Sequence, residues 1–84
     1  MKTVEPISDR LKRVRHMARM SQNELAARSG VNRAMIARYE QGSRTPGVYS
    51  AIDMANALRL TVGQLLGVEQ IPLNWEKQWE REHE

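Results

Sequence analysis

A chain of 84 residues without cysteine contains neither a disulfide framework nor a thiolate metal site. At this length a chain buries only about 60% of the surface that it exposes when unfolded, so we expect one small domain with little room for a catalytic cleft. Residues 7–44 carry nine Lys or Arg and three acids, a net charge of +6, whereas residues 68–84 carry two basic residues and five acids, a net charge of −3.

The uneven charge points to the kind of partner. Cationic side chains bind phosphates by displacing condensed counterions, so the basic region predicts a surface that binds a polyanion, with the acidic end kept away from it. Charge alone leaves DNA, RNA and anionic lipid open. The N-terminal segment lacks the apolar run of a signal peptide, and no stretch approaches the roughly 20 apolar residues that span a bilayer, so we expect a cytoplasmic protein without membrane contact.

Apolar residues recur at helical spacing through almost the whole chain, without the period-two alternation of a strand, which predicts an all-α fold. Residues 1–6 are interpreted as an N-terminal arm. The first helix is predicted from about Ile7 to Arg19, with an apolar stripe and a basic surface. Over the whole chain, the buried core is predicted to include Leu11, Val14, Leu25, Val31, Ile36, Ile52, Leu58, Leu65 and Leu66.

A second helix follows almost directly. Ser21-Gln22-Asn23-Glu24 has the pattern of a capping box, in which the Ser hydroxyl and the Glu carboxylate each satisfy a backbone donor. The helix is therefore predicted to begin at Gln22. Its end is predicted at Gly30, which adopts the left-handed conformation more readily than other residues.

The third helix is predicted from Arg33 to Gln41. Asn32 is a good N-cap, Ile36 and Tyr39 form the buried face, and Gly42 ends the helix. Two short helices joined by a tight turn that contains glycine are typical of a helix-turn-helix, in which the second helix projects into the major groove of DNA.

A fourth and a fifth helix are predicted between residues 45 and 67. Thr45-Pro46 is predicted to begin the fourth, with a capping hydroxyl followed by proline at the first helical position. Thr61-Val62-Gly63-Gln64 has the pattern of a second capping box and opens a short fifth helix that ends at Gly67. The predicted apolar stripes are Val48, Ile52, Ala55 and Leu58 in the fourth helix, and Val62, Leu65 and Leu66 in the fifth.

Residues 68–84 are interpreted as a C-terminal helical extension. Ile71, Trp75 and Trp79 lie four residues apart, which fits a sixth amphipathic helix from about Leu73 to Arg81. Two tryptophans on one stripe pack either on their own domain or on a partner. Contact with a second copy of the chain in a dimer is favoured slightly over intramolecular packing.

The segment from Leu11 to Leu66 resembles the lambda-repressor-like, XRE/Cro-type helix-turn-helix family. The pieces that carry the resemblance are SQNELA, the SGV turn, the YEQG end of the third helix, and TP followed by ALRLTVGQLL. The resemblance implies a compact DNA-binding domain of five helices, here residues 7–67, in which the second and third helices form the reading unit. It also implies a symmetric dimer on double-stranded operator DNA.

The resemblance places four base-reading residues on the groove-facing side of the third helix: Asn32, Arg33, Ala34 and Arg38. Helical spacing agrees, because these residues lie opposite Ile36 and Tyr39. Arg33 and Arg38 are the strongest candidates, since an Arg fork bonds twice to the acceptor edge of guanine. At least one G·C pair is therefore predicted in each half-site.

Other residues are matched to the DNA backbone. By resemblance, Gln22 contacts a phosphate and braces the third helix, while Ser43 and Arg44 hold the backbone from the turn after that helix. Lys12 and Arg13 are expected to reach flanking phosphates. Such contacts set the register of the protein on DNA without reading its sequence.

The resemblance further implies a partly buried ion pair between Arg15 and Glu40 that joins the first helix to the third. The third helix departs from the family pattern, since Ala34, Met35 and Ala37 stand where small polar readers are frequent. Met35 is interpreted either as a contact to a thymine methyl group or as packing. The remaining basic residues of the helices are interpreted as solvated surface charges: Arg10, Arg19, Arg28 and Arg59.

The leading functional hypothesis is a sequence-specific transcriptional repressor that binds a palindromic operator as a homodimer. His16, Ser21 and Ser29 lie in no metal-ligand or nucleophile pattern, so we expect no metal, no cofactor and no enzymatic activity. One alternative is an antitoxin whose residues 68–84 dock on a toxin. Another is a protein-interaction adaptor that keeps the fold without reading DNA.

Overall fold

Residues 5–82 of the computed structural model form six α-helices and contain no strand. The helices are α1 (Ile7–Met17), α2 (Gln22–Ser29), α3 (Arg33–Gln41), α4 (Val48–Ala57), α5 (Val62–Leu66) and α6 (Trp75–Glu82). The all-α prediction is confirmed, and α2 and α3 have their predicted bounds. Residues 1–4 of the predicted N-terminal arm lie outside the described residues, as do residues 83–84. Within residues 5–82, no helix has both the length and the apolar character needed to cross a membrane.

Local sequence sets the ends of the short helices. Ser21 Oγ accepts a 3.0 Å hydrogen bond from a backbone N–H in the first turn of α2, and Thr61 forms a complete capping box with Gln64 at the start of α5. Gly30 and Gly42 end α2 and α3 with φ of 77° and 80°. A side chain with Cβ pays roughly 1–2 kcal/mol in this left-handed region, so glycine suits both positions.

The α1–α2 and α4–α5 corners use the same turn. Arg19 and Arg59 each adopt φ of 57° directly after a helix, and the apolar residues that follow them, Met20 and Leu60, are buried in the core. A non-glycine residue in this conformation costs of order 1–3 kcal/mol, which the packing of the next residue offsets. Both corners therefore reverse the chain in very few residues.

The fourth helix begins later than predicted. Gly47 is its N-cap, without a side-chain hydrogen bond, so the prediction of a start at Thr45-Pro46 is wrong. Its buried face also differs: Val48 is 72% exposed and Ile52 is 36% exposed. The residues that α4 turns toward the interior are Ala51, Met54, Ala55 and the adjoining Leu58. This face is selected because α4 packs on both α2 and α5, and small alanines permit close approach.

The core agrees with the prediction except at two positions. Seven of the nine predicted core residues are buried, whereas Ile52 and Leu66 stay 36% and 38% exposed. Both of these residues fit an apolar stripe on their own helices, but they remain at the surface of the domain. Leu66 instead lines an open apolar groove together with Pro46 and Val48.

The sixth helix belongs to the same core as the first five. Trp75 and Trp79 are 2% and 0% exposed within their own chain, and Ile71 packs partly buried beside them. Trp75 Nε1 donates a 2.7 Å hydrogen bond to the carbonyl oxygen of Leu58. The expectation of a partner contact is therefore corrected for Trp75 and Trp79, which pack inside their own chain, and stays a prediction for Ile71. The packed domain extends past Gly67 to include α6.

Two arginines and a glutamate fasten α6. The Cζ atoms of Arg28 and Arg59 lie 5.3 Å and 4.7 Å from the ring centroid of Trp79. Both guanidinium groups also pair with Glu82, at 3.0 Å from Arg28 and 2.6 Å from Arg59. A cation over an indole face is attracted by its quadrupole, so the arginines cover the ring while the glutamate balances their charge. The acidic C-terminal segment thus neutralises basic residues within the chain.

Candidate nucleic-acid interface

The turn between α2 and α3 is held from both ends. Gly30 donates its backbone N–H to the carbonyl oxygen of Ala26 at 2.9 Å. Val31 is buried in the core, and Asn32 Oδ1 accepts a 2.8 Å hydrogen bond from the backbone N–H of Ala34. These three consecutive residues close one helix, anchor the turn and open the next helix, as a rigid helix-turn-helix requires.

The two faces of α3 are sharply different. Ile36 and Tyr39 are buried, while all four predicted base-reading residues are exposed: Asn32, Arg33, Ala34 and Arg38. Met35 is partly buried and packs against the core. Of the two interpretations of Met35, the structure supports packing.

Asn32 has a structural task in addition to its exposure. Its amide oxygen is engaged in capping α3, so the bidentate pairing of an Asn amide with adenine is not freely available to it. The amide nitrogen is the group of Asn32 that remains for a base or a phosphate.

The arginines fall into two groups by their partners. Among residues 5–82, no hydrogen bond or ion pair is found for the guanidinium groups of Arg33, Arg38 and Arg44, nor for the ammonium group of Lys12. All four residues are exposed. A cation without a protein partner has only its hydration to exchange for a phosphate or a base edge, whereas a paired cation must first give up an existing contact.

The turn after α3 returns to the end of that helix. The Ser43 hydroxyl donates to the carbonyl oxygen of Arg38 at 3.3 Å, and the backbone N–H groups of Ser43 and Arg44 point to the same oxygen at 3.1 Å and 3.4 Å. Arg44 is thereby carried on a turn fixed to α3. The side chains of Arg38 and Arg44 are presented from adjoining parts of one rigid unit.

A buried ion pair joins α1 to α3. Arg15 Nε lies 2.7 Å from Glu40 Oε2, and Arg15 Nη2 lies 2.9 Å from Glu40 Oε1. The side chains are only 7% and 4% exposed. Arg15 Nη1 also donates to the carbonyl oxygen of Met20 at 2.7 Å. The bidentate contact and the third hydrogen bond compensate the desolvation of both charges.

Gln22 extends this pair into a three-residue brace, defined as Arg15, Glu40 and Gln22. Gln22 Nε2 donates to Glu40 Oε1 at 3.2 Å, which links the first turn of α2 to the last turn of α3. Burial alone raises the pKa of Glu40, but the hydrogen bonds from Arg15 and Gln22 outweigh it and hold that pKa below its ordinary value. The carboxylate therefore stays charged and fixes the orientation of α3.

Arg13, unlike Lys12, already has a hydrogen-bonding partner within residues 5–82. Its Nε and Nη2 atoms form hydrogen bonds of 3.1 Å and 2.8 Å with the two carboxylate oxygens of Glu5. The hydrogen bond from Arg13 also lowers the pKa of Glu5. A phosphate would have to displace this bidentate partner, so of the two residues predicted to reach flanking phosphates, Lys12 is the unpaired one.

The structural contacts of Arg10, Arg28 and Arg59 were not predicted from the sequence. Arg10 Nε and Nη2 donate to the carbonyl oxygens of Leu65 and Gln64 at 2.9 Å and 2.7 Å, where the last turn of α5 exposes unsatisfied acceptors. Together with the contacts of Arg28 and Arg59 to Trp79, this contradicts their interpretation as solvated charges. No signal in the sequence reveals these contacts, because each one joins elements that are distant along the chain.

A family model for the helix-turn-helix matches residues 11–65. The chain belongs to this family, in its lambda-repressor-like, XRE type. It is similar to a protein of Sinorhizobium fredii (strain NBRC 101917 / NGR234) named "Uncharacterized HTH-type transcriptional regulator y4dL", with 41% identity over 58 residues. These cover 69% of this chain and 30% of the relative, so the chain matches under a third of that protein's length. No solved structure matches the chain.

Proposed function

We propose that this protein is a sequence-specific transcriptional repressor that inserts α3 into the major groove of double-stranded DNA. The observation that carries the proposal is the presence on α3 of two exposed arginines without protein partners among residues 5–82. Arg33 and Arg38 project without protein partners from the outer face of α3, while Arg10, Arg13 and Arg15 on α1 are all engaged within the chain. Family membership independently indicates a DNA-binding regulator.

Arg33 and Arg38 are the proposed base readers. They lie five residues apart, which is about 7.5 Å along a helix axis and therefore about two base steps of 3.4 Å. Each guanidinium fork matches the O6 and N7 acceptors of guanine, and one such pair discriminates against the wrong base by roughly 1–3 kcal/mol.

The proposed backbone contacts surround these readers. Arg44 and Ser43 approach one strand from the turn after α3, and Lys12 approaches a flanking phosphate from α1. Gln22 contributes at the start of α2, where unsatisfied backbone N–H groups favour an anion. Because Gln22 also holds Glu40, binding of a phosphate at this point is coupled to the orientation of α3.

A second copy of the chain is proposed to pack on the uncovered face of α4 and α5. Val48 and Tyr49 are 72% and 83% exposed there. A groove of about 270 Å³ runs beside Pro46, Val48 and Leu66, and the described residues that line it carry no charge. Such a face meets its own copy across a two-fold axis without like-charge repulsion. It also adjoins the turn that carries Arg44, so the dimer and DNA surfaces are neighbours.

The proposed mode of repression is occlusion of a promoter by the bound dimer. The antitoxin alternative receives no support from the structure, because the tryptophans of residues 68–84 are occupied by their own core. The adaptor alternative is separated from the proposal by experiment, since an adaptor would select no DNA sequence.

The test is selection from random DNA duplexes, followed by affinity measurements across salt concentrations for the wild type, Arg38→Ala and Arg44→Ala. We expect one enriched palindromic site. Arg38→Ala relaxes the preference at one base pair of each half-site, whereas Arg44→Ala weakens binding to all sequences equally and lowers the salt dependence. Arg81→Ala, which removes an exposed arginine from α6, is the matched control and leaves both properties unchanged. Absence of any enriched sequence with the wild type would refute the proposal.

A further inference from the structure

Ala34 lies on the side of α3 that faces directly away from the core. Successive residues of an α-helix are rotated by about 100°, so the line opposite the buried Ile36 and Tyr39 runs through Ala34 and Gln41, with Ala37 and Arg38 about 50° to either side. Ala34 is exposed and Ala37 is half-buried. Arg33 lies on one flank of this line and Arg38 on the other. The first turns of α3 therefore present the exposed methyl group of Ala34 between two guanidinium groups.

An alanine at this place limits what the helix can read. Its side chain offers no hydrogen-bond donor or acceptor, and its small size allows the backbone to approach the bases closely. A base donor or acceptor pressed against a methyl group loses water without gaining a partner, which is unfavourable. Thymine alone presents an apolar group in the major groove, its 5-methyl group.

We propose that Ala34 reads thymine, with its methyl group packed on the 5-methyl group of one thymine in each half-site, beside the guanine bound by Arg33 or Arg38. This inference rests on the proposed function of α3 and adds the base that its centre selects. Met35 takes no part in this contact, because it is partly buried against the core.

The test removes one methyl group at a time. Each thymine of the selected operator is replaced in both half-sites by deoxyuridine, which lacks only the 5-methyl group, and affinity is measured for the wild type and for Ala34→Gly. Burial of one methyl group is worth a factor of about four, so two symmetric replacements lower wild-type affinity by roughly tenfold or more at the thymine that faces Ala34. In Ala34→Gly this penalty disappears at that thymine and persists elsewhere.

The comparison is a double-mutant cycle, so a general loss of helix stability from glycine affects both DNA molecules equally and cancels. A second variant, Ala34→Gln, is expected to gain a new base preference. Glutamine pairs with adenine through two hydrogen bonds, so selection with this variant is expected to replace the T·A pair by A·T at the same position.

The outcomes separate the two proposals. If the wild type selects no sequence, the proposed function and this inference both fail. If it selects a sequence but no deoxyuridine replacement lowers affinity more than twofold, or the penalty is the same in Ala34→Gly, the thymine-reading inference is overturned and the proposed function stands.

Discussion

Glu40→Gln is predicted to destabilise the fold strongly, although it replaces only one carboxylate oxygen by an amide nitrogen. It keeps the volume of the side chain but leaves the guanidinium of Arg15, whose side chain is 7% exposed, without a counter-charge. Breaking a buried pair by removing one partner costs about 3–5 kcal/mol. For a domain of this size, roughly 4–8 °C of melting temperature correspond to each kcal/mol, so we expect a decrease of at least about 12 °C.

The assay is urea or thermal unfolding followed by tryptophan fluorescence, because Trp75 and Trp79 are both buried in the core. Glu5→Gln is the matched control. It makes the same chemical change in a bidentate pair with Arg13 whose side chains are 34% and 48% exposed, where a loss of about 1 kcal/mol or less is expected. Equal losses in the two variants would refute the argument that burial makes the Arg15–Glu40 pair structural.

The pH dependence of the free energy of unfolding provides a second test with Glu40→Gln. Because the pKa of Glu40 is lower in the folded protein than its ordinary value of 4.5, its charge stabilises the fold fully above that value. This contribution is lost as the pH falls through the folded pKa. The stability difference between wild type and Glu40→Gln should therefore be constant near neutral pH and shrink in acid. A difference that grows on acidification would contradict the assigned direction.

Three further predictions concern α6, the dimer face and the left-handed turns. Trp79→Ala lowers the free energy of unfolding by about 3–5 kcal/mol, measured by circular dichroism, and leaves the DNA sequence preference of the folded fraction unchanged. Val48→Glu converts the proposed dimer to a monomer in sedimentation experiments. Val68 is similarly exposed but lies outside that face, so Val68→Glu leaves the dimer intact. A dimer in both variants would exclude the α4–α5 interface. Arg19→Gly relieves the backbone strain at φ 57° and raises the free energy of unfolding by up to about 1 kcal/mol. Arg59→Gly lowers the free energy of unfolding, because the stacking of Arg59 on Trp79 is lost. A change of stability in the same direction in both variants would contradict this prediction.

Features encoded by neighbouring residues were predictable from the sequence. The Ser21 and Thr61 caps, Gly30 and Gly42 each act within a few residues, so local pattern and conformational preference suffice to place the ends of α2, α3 and α5. The outward position of Arg38 follows in the same way from helical spacing against Tyr39.

Features that depend on the facing element were not predictable in the same way. The stripe of Trp75 and Trp79 fits an intermolecular contact as well as an internal one, and the choice depends on Arg28 and Arg59, which lie far away in the chain. Likewise, Ile52 and Ala51 both fit a buried stripe of α4, and the packing on α2 and α5 decides between them. The spacing of apolar residues identifies an amphipathic helix. Which of its residues are buried, and against which element, depends on the tertiary structure.

The most direct test of α3 as the reading helix is the base-by-base specificity profile of Arg38→Ala compared with the wild type on the selected operator. We predict that the variant loses discrimination at one G·C pair in each half-site and keeps its preferences at the other positions. An unchanged profile at every position, with the variant folded, would contradict the assignment of α3 as the helix that reads DNA through Arg38.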